Sequence, residues 1–151
     1  MKVEQKPVKQ KDVFTRYPAV RLDTAPDTFI ETYVASTWYR RFRGLLGKRP
    51  LEEHEGLLLL PCRSIHTFGM RYAIDVVFLG AQSRILAIER HIRRGRVLRC
   101  RRAYATLELL SGSARHYGLQ PGQHLLQEQS SSGQSLTTQK SNRNPTGRHP
   151  V

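Results

Sequence analysis

Five side chains carry most of the chemistry this chain can offer: Cys62, Ser64 and His66 at alternate positions, then Asp75, and far downstream Glu108. An imidazole with one or two carboxylates is the equipment of general acid–base catalysis, and a nearby serine or cysteine adds a nucleophile. On an extended strand Cys62, Ser64 and His66 share a face, about 7 Å per two residues. That spacing is too wide for Cys62 and His66 to ligate one zinc, whose ligands stand about 2.0–2.3 Å from the metal. A loop could add His54, but no paired Cys/His spacing supports it, so neither a metal nor another cofactor is predicted. A Ser64–His66–Asp75 set lacks the Gly-x-Ser-x-Gly elbow and any evident oxyanion loop. Asp75 and Glu108 form an acid/base pair only if the fold brings them together.

Asp75 stands directly ahead of Val76-Val77-Phe78-Leu79. A carboxylate leading into such an apolar run is costly to bury unless it is hydrogen-bonded, paired or wet. It either orients His66 or a cationic ligand, or accepts backbone N–H bonds at a turn, the commoner role for a short acid at a strand boundary. The structural role predicts that Asp75→Asn costs little and Asp75→Leu destabilises. Glu108, between Leu107 and Leu109, faces away from both and shares its side with Thr106 and Tyr104. The favoured reading is a satisfied buried ion pair with Arg71 or an arginine of the basic segment downstream. Phe68, Met70 and Tyr72 alternate on one face beside His66, and Gly69 permits a bulge there. With Asp75, these residues (His66, Phe68, Met70 and Tyr72) are the candidate ligand-binding groove.

The elements that must position these groups are short. Residues 29–34 read as a strand, rich in aromatic and β-branched types. Ser36 is a candidate N-cap, and Trp38, Phe42 and Leu45 follow on one face of a short helix closed by Gly47. Trp38 and Phe42 are predicted to be core. Further strands are expected at 56–60, 75–79, 85–88, 97–100, 104–109 and 124–127. A helix of about two turns is expected at 111–117, stopped by Gly118, with a tight turn at Pro121-Gly122. Many short strands, two short helices and no strand–helix alternation predict a mainly β (α+β) fold, a single compact barrel-like sheet domain.

The length of 151 residues, with only 38% hydrophobic residues, suits one domain plus polar tails. Residues 1–12 form a lysine-rich N-terminal tail and 129–151 a polar C-terminal one, both expected to be disordered; 13–128 is the globular domain. No apolar run is long enough to span a bilayer, and the first residues lack the apolar core of an export signal, so a soluble cytoplasmic protein is expected. Cys62 and Cys100 are too few for a disulfide scaffold; they are either separate buried thiols or a pair that meets across a sheet. The net charge is +13, and residues 84–102 hold eight arginines against one acid, Glu89. Such a patch attracts nucleic acid, anionic membrane or an acidic protein surface. Arg90, Arg93, Arg94, Arg96, Arg99, Arg101 and Arg102 are the candidate polyanion contacts, although an exposed arginine-rich hairpin without a partner is the plainer reading.

Four segments in register resemble one family, domain of unknown function 192, also called uncharacterised protein family 0127. They are Arg43-Gly44-Leu45-Leu46-Gly47 with Leu51; Gly56-Leu57-Leu58-Leu59; Met70 with Ile74-Asp75-Val76-Val77-Phe78-Leu79; and Leu107-Glu108-Leu109 with Gly112, Ala114, Gly118, Leu119 and Gly122. The resemblance spans residues 28–127. It implies a compact, mainly β fold with short helices, and no reaction, since none is established for the family. Some relatives carry an N-terminal membrane or export signal. Three departures stand out: Gly80-Ala81-Gln82-Ser83 replaces the family's Asp-Gly turn, Ala73 its proline, and Gly122-Gln123 its final Gly-Asp. The first and last weaken any binding or metal role for those acids here.

The function favoured by these readings is a non-catalytic binding or accessory domain of an uncharacterised bacterial-type family, meeting a protein or small ligand at the His66–Asp75 groove. Two alternatives follow from other residues: a small hydrolase-like enzyme using His66, Asp75 and Glu108, and nucleic-acid binding through residues 84–102.

Overall fold

The computed structural model describes residues 13–128. In chain order the elements are β1 (Ala19–Ala25), β2 (Thr28–Ala35), α1 (Trp38–Arg43), β3 (Glu55–Leu59), β4 (Ser64–His66), β5 (Ile74–Leu79), β6 (Ile85–Ile92), β7 (Val97–Arg99), β8 (Ala105–Leu110), α2 (Ser113–His116) and β9 (Leu126–Glu128). Seven of the strands form one curled half-barrel sheet in the order β6-β5-β8-β3-β2-β1-β9, and β4 and β7 make a separate ribbon. Every pairing is antiparallel except β2 with β3. A parallel pair needs a crossover, and α1 lies within it.

The mainly β architecture agrees with the sequence reading, with differences at the ends of elements. β1 and β4 are absent from the expected strands, β6 runs four residues further, and α2 is a single turn. Thr37, not Ser36, caps α1, its hydroxyl accepting from the Arg40 amide, and the helix stops at Gly44 rather than Gly47. Gly44 takes φ +44°, where a side chain would be strained.

β5 is buried along its whole length, as expected of a strand covered on both faces. Ile74, Val76 and Phe78 point into one apolar cluster with Leu57, Leu59 and Met70. Val77 and Leu79 point into the other, with Leu22, Leu107 and Leu109. On β8 the alternation continues: Leu107 and Leu109 join the second cluster, which sends Glu108 toward the first. The β4–β7 ribbon is pinned by buried Thr67. Its hydroxyl donates to the Arg93 carbonyl at 2.7 Å and accepts from the Arg96 amide at 3.0 Å. Cys62 and Cys100 are both free thiols, partly buried against the first cluster.

Candidate functional site

A cavity of about 730 Å³ opens between α1 and the β4–β7 ribbon. On the ribbon side Ser64 pairs with Arg99 and His66 with Val97; Ser64, Ile65, His66 and Arg99 line the cavity, while Leu98 packs on the core. Cys62 and Arg63 complete this wall, so the cavity takes the continuous run 62–66, in which the alternate-position trio of the sequence is contained. Leu45, Leu59 and Met70 provide apolar lining, and Arg41, Arg43 and Arg63 join Arg99 around it.

Trp38 and Phe42 also line this cavity, and here the sequence reading is corrected. They are not core: Trp38 is 73% and Phe42 66% exposed. The helical spacing was read as an inward face, but α1 contains no buried residue at all. Only Leu45, beyond the helix, enters the core. The exposed rings stand at the cavity mouth, where Phe42 meets the His66 ring edge-on at 6.0 Å and Phe68 stacks on His66 at 5.7 Å.

Glu108 is the buried polar residue of the cavity lining, only 4% exposed, and its Oε2 has no hydrogen-bond partner. The expected satisfied ion pair with Arg71 or a downstream arginine is therefore not formed; Arg71 is exposed. Burial pushes its carboxyl up to about 7, and the Lys48 ammonium offsets only part of this. Lys48 itself is half-buried, its pKa lowered by burial, and its ammonium donates to the Gly44 carbonyl. Gly44 leaves the room the carboxylate occupies: a Cβ there would sit 3.3 Å from Glu108 Oε2.

Glu55 shows what a satisfied buried carboxylate looks like in the same fold. It is 5% exposed and accepts two bonds from Arg49 at 2.7 and 2.8 Å, one from Tyr33 Oη and one from the Glu52 amide, both at 2.9 Å. Burial pushes its carboxyl up, yet these partners outweigh it and hold it down at about 2. At similar solvent exposure the two acids differ in their partners, and Glu108 is also the more deeply enclosed of the two.

The structure does not bring Asp75 to the cavity. Asp75 pairs with Leu109 while Glu108 pairs with Val76, so the two acids point to opposite faces of the sheet. Asp75 is 1% exposed, and its oxygens accept the amides of His91 at 2.9 Å, Gly112 at 2.9 Å and Ala114 at 3.1 Å. Between Ile74 and Val76 the partner strand β6 carries one extra residue, a bulge with His91 at φ +53°. Asp75 thus fastens the bulge of the edge strand β6 and the start of α2 to β5. Of the groove residues, His66 and Met70 line the cavity and Phe68 stands beside it. Tyr72 packs on the core and donates to the Arg49 carbonyl.

No nucleophile–base pair is assembled in the cavity. His66 Nδ1 is buried without a partner, and the Cys62 thiol donates to the Ser64 carbonyl at 3.2 Å. Burial pushes that thiol up, away from the reactive thiolate. Among the described residues there is no group of three His, Cys, Asp or Glu side chains that could hold a metal. Of the candidate polyanion contacts, Arg99 lines the cavity and Arg90 donates to the Leu119 carbonyl elsewhere. Arg93, Arg94, Arg96, Arg101 and Arg102 are exposed.

Sequence reasoning missed Trp38, Phe42, Arg41, Arg43 and Arg63 as site residues; of the four arginines in the lining it named only Arg99, as a polyanion contact. The signal was present in Trp-Tyr-Arg-Arg-Phe-Arg, a helix with aromatic and basic residues interleaved and no aliphatic residue for a core.

A family model described as DUF192, uncharacterized ACR, matches residues 20–126. No curated protein matches. Two crystal structures share the fold at 21% identity. One is a protein of unknown function from Novosphingobium aromaticivorans DSM 12444, with TM-score 0.64 over 73% of this chain and 84% of that one. The other, from Sinorhizobium meliloti 1021, is named a "putative transcription regulator", with TM-score 0.65 over 74% of this chain and 95% of that one.

Proposed function

For a chain that belongs to the DUF192 family, a family of unknown function, we propose a non-catalytic binding domain whose ligand site is the cavity between α1 and the β4–β7 ribbon. One observation carries the reading: Glu108 is buried in the cavity lining with an oxygen that no protein group satisfies. A buried acceptor without a donor costs about 1–3 kcal/mol, more when charged. A ligand donor placed there recovers that free energy on binding. The volume is that of a small-molecule site, mostly apolar with a few convergent polar groups.

Hydrolysis by His66, Asp75 and Glu108 is disfavoured because Asp75 lies on the other face of the sheet. No helix among the described residues is long and apolar enough to cross a membrane. The proposal keeps a cytoplasmic location, a domain at 13–128 and polar tails outside it.

The test is an NMR screen of small polar metabolites against the full chain and its Phe42→Ala and Glu108→Gln variants. Expected are ligands whose shift changes map to α1, β4 and β7 and which weaken in both variants. Ligands that map elsewhere, or that bind both variants as well as the wild type, would overturn the reading.

A further inference from the structure

Resting on that binding site, we propose that its ligand is a guanine nucleotide, taken free or as an unpaired residue of a single strand: phosphate on the rim arginines, base against the exposed rings, and Watson–Crick edge on Glu108. Three features of the cavity combine to select this chemistry.

The first is charge. Arg41, Arg43, Arg63 and Arg99 all line one cavity, and further exposed arginines flank β7 in the chain; β7 pairs with β4 and not with β6, as a basic hairpin would require. Guanidinium groups suit phosphate oxygens through paired N–H donors. Arg41 and Arg43 already donate to the Ser36 carbonyl and the Tyr39 hydroxyl, which fixes them in place with donors to spare.

The second is the ring surface. Trp38, Phe42 and Phe68 are each more than half exposed, and His66 lies between the last two. Flat rings left in water beside basic side chains are the platform on which unpaired bases stack. A saturated ligand would gain burial there but no stacking.

The third decides which base. An ionised glutamate only accepts hydrogen bonds, so it selects an edge with two adjacent donors. Guanine offers N1–H beside its N2 amino group. Adenine and cytosine each place a ring nitrogen acceptor beside their amino group, which faces a carboxylate oxygen with a lone pair. Uracil flanks its one donor with two acceptors. The unpartnered Oε2 of Glu108 therefore favours guanine over the other three, and because it is closed to solvent beneath Gly44 the base reaches it only by displacing what covers it.

Binding of GMP, AMP and guanosine to the full chain is measured by NMR titration at about pH 8, where the Glu108 carboxyl is mostly ionised. GMP is expected to bind about tenfold more tightly than AMP. Guanosine is expected to bind more weakly than GMP, with shift changes at α1, β4 and β7. Glu108→Gln replaces an acceptor pair by an acceptor and a donor, the complement of adenine, and should invert the preference toward AMP while the rest of the spectrum shows an intact fold. A GU-repeat strand binding more tightly than GMP, and more tightly than an AU-repeat strand, identifies the source as single-stranded nucleic acid; GMP binding as tightly as the GU strand identifies a free nucleotide. Equal affinity for GMP and AMP, or a guanine preference that survives in Glu108→Gln, would overturn the inference. So would absence of GMP binding at millimolar concentration; if another ligand class still maps to the cavity, only the guanine assignment fails and the binding-site reading stands.

Discussion

Replacing Asp75 tests how the buried strand β5 is fastened to its neighbours. Its carboxylate accepts three backbone amides, from His91, Gly112 and Ala114, at 2.9, 2.9 and 3.1 Å. An asparagine has one acceptor oxygen. Turned toward Gly112 and Ala114, which share Oδ2, it keeps two bonds and presents its NH2 group to the His91 amide. One charge-assisted bond is lost and two donors oppose each other, an expected cost of about 2–3 kcal/mol. This revises the sequence reading, in which Asn costs little: that reading placed the backbone donors at a turn, whereas they come from β6 and from the start of α2. Asp75→Leu strands all three amides and should cost about 5 kcal/mol, comparable to the total stability of a marginal domain. For a domain of this size each kcal/mol lowers Tm by roughly 3–6 °C, so the Asn variant should melt about 10 °C below wild type.

Thermal and urea unfolding followed by far-UV circular dichroism measures the loss, and amide exchange locates it. In Asp75→Asn the His91 amide should exchange far faster, while amides in β3 should change only with global stability. A Leu variant that melts with the wild type would refute the reasoning. So would an Asn variant in which the His91 amide keeps its protection, since that bond is the one asparagine cannot replace.

Glu108→Gln should stabilise the fold above neutral pH. A carboxyl raised to about 7 favours the folded state only while protonated, so wild-type stability falls from about pH 4.3 up through 7, and the Gln variant, gaining on the order of 3 kcal/mol at pH 8, should lack that slope in urea titrations. Glu55 has the opposite sign: held down at about 2, it contributes stability above about pH 4.3 that is lost as pH falls toward 2. Arg49→Met removes its bidentate partner, leaves a buried charge short of donors and should cost about 3–5 kcal/mol at neutral pH, with a smaller deficit at pH 3; an equal deficit at both would point to lost packing alone.

What the sequence makes legible here is parity, and what it hides is partnership. The two-residue period of β8 is enough to send Glu108 away from Leu107 and Leu109, and the structure keeps that side. No local pattern says that an arginine would fail to arrive there. Asp75 is visible as a carboxylate that must be satisfied, but its donors lie 16, 37 and 39 residues onward, on a bulge and a turn with no sequence link to it. β1 escaped because Ala-Val-Arg-Leu-Asp-Thr-Ala buries only Leu22 and Thr24, and a threonine facing inward does not read as apolar. The tail of β6 escaped because Glu89, Arg90 and His91 are all exposed; pairing with β5, not burial, keeps them in the sheet. Trp38 and Phe42 escaped for a different reason. A four-residue spacing places two rings on one helical face but leaves open whether that face meets the core or a cavity.

Three buried carboxylates in one half-barrel give the site its internal control. Asp75 and Glu55 are each surrounded by donors drawn from several segments, which shows that this fold has no difficulty in satisfying a buried acid. Glu108 sits on a strand between β3 and β5, with Leu57 and Val76 as cross-strand neighbours, where a leucine of similar size would join the first apolar cluster at no electrostatic cost. Stability alone therefore gives no account of a glutamate at this position. Its surroundings do: among the described residues, the one buried acid left short of a donor is the one that lines the cavity, beside rings and arginines that the core does not use. An unsatisfied acceptor elsewhere in the interior would be only a defect, whereas one facing a cavity of ligand size has a route to completion that does not involve the protein.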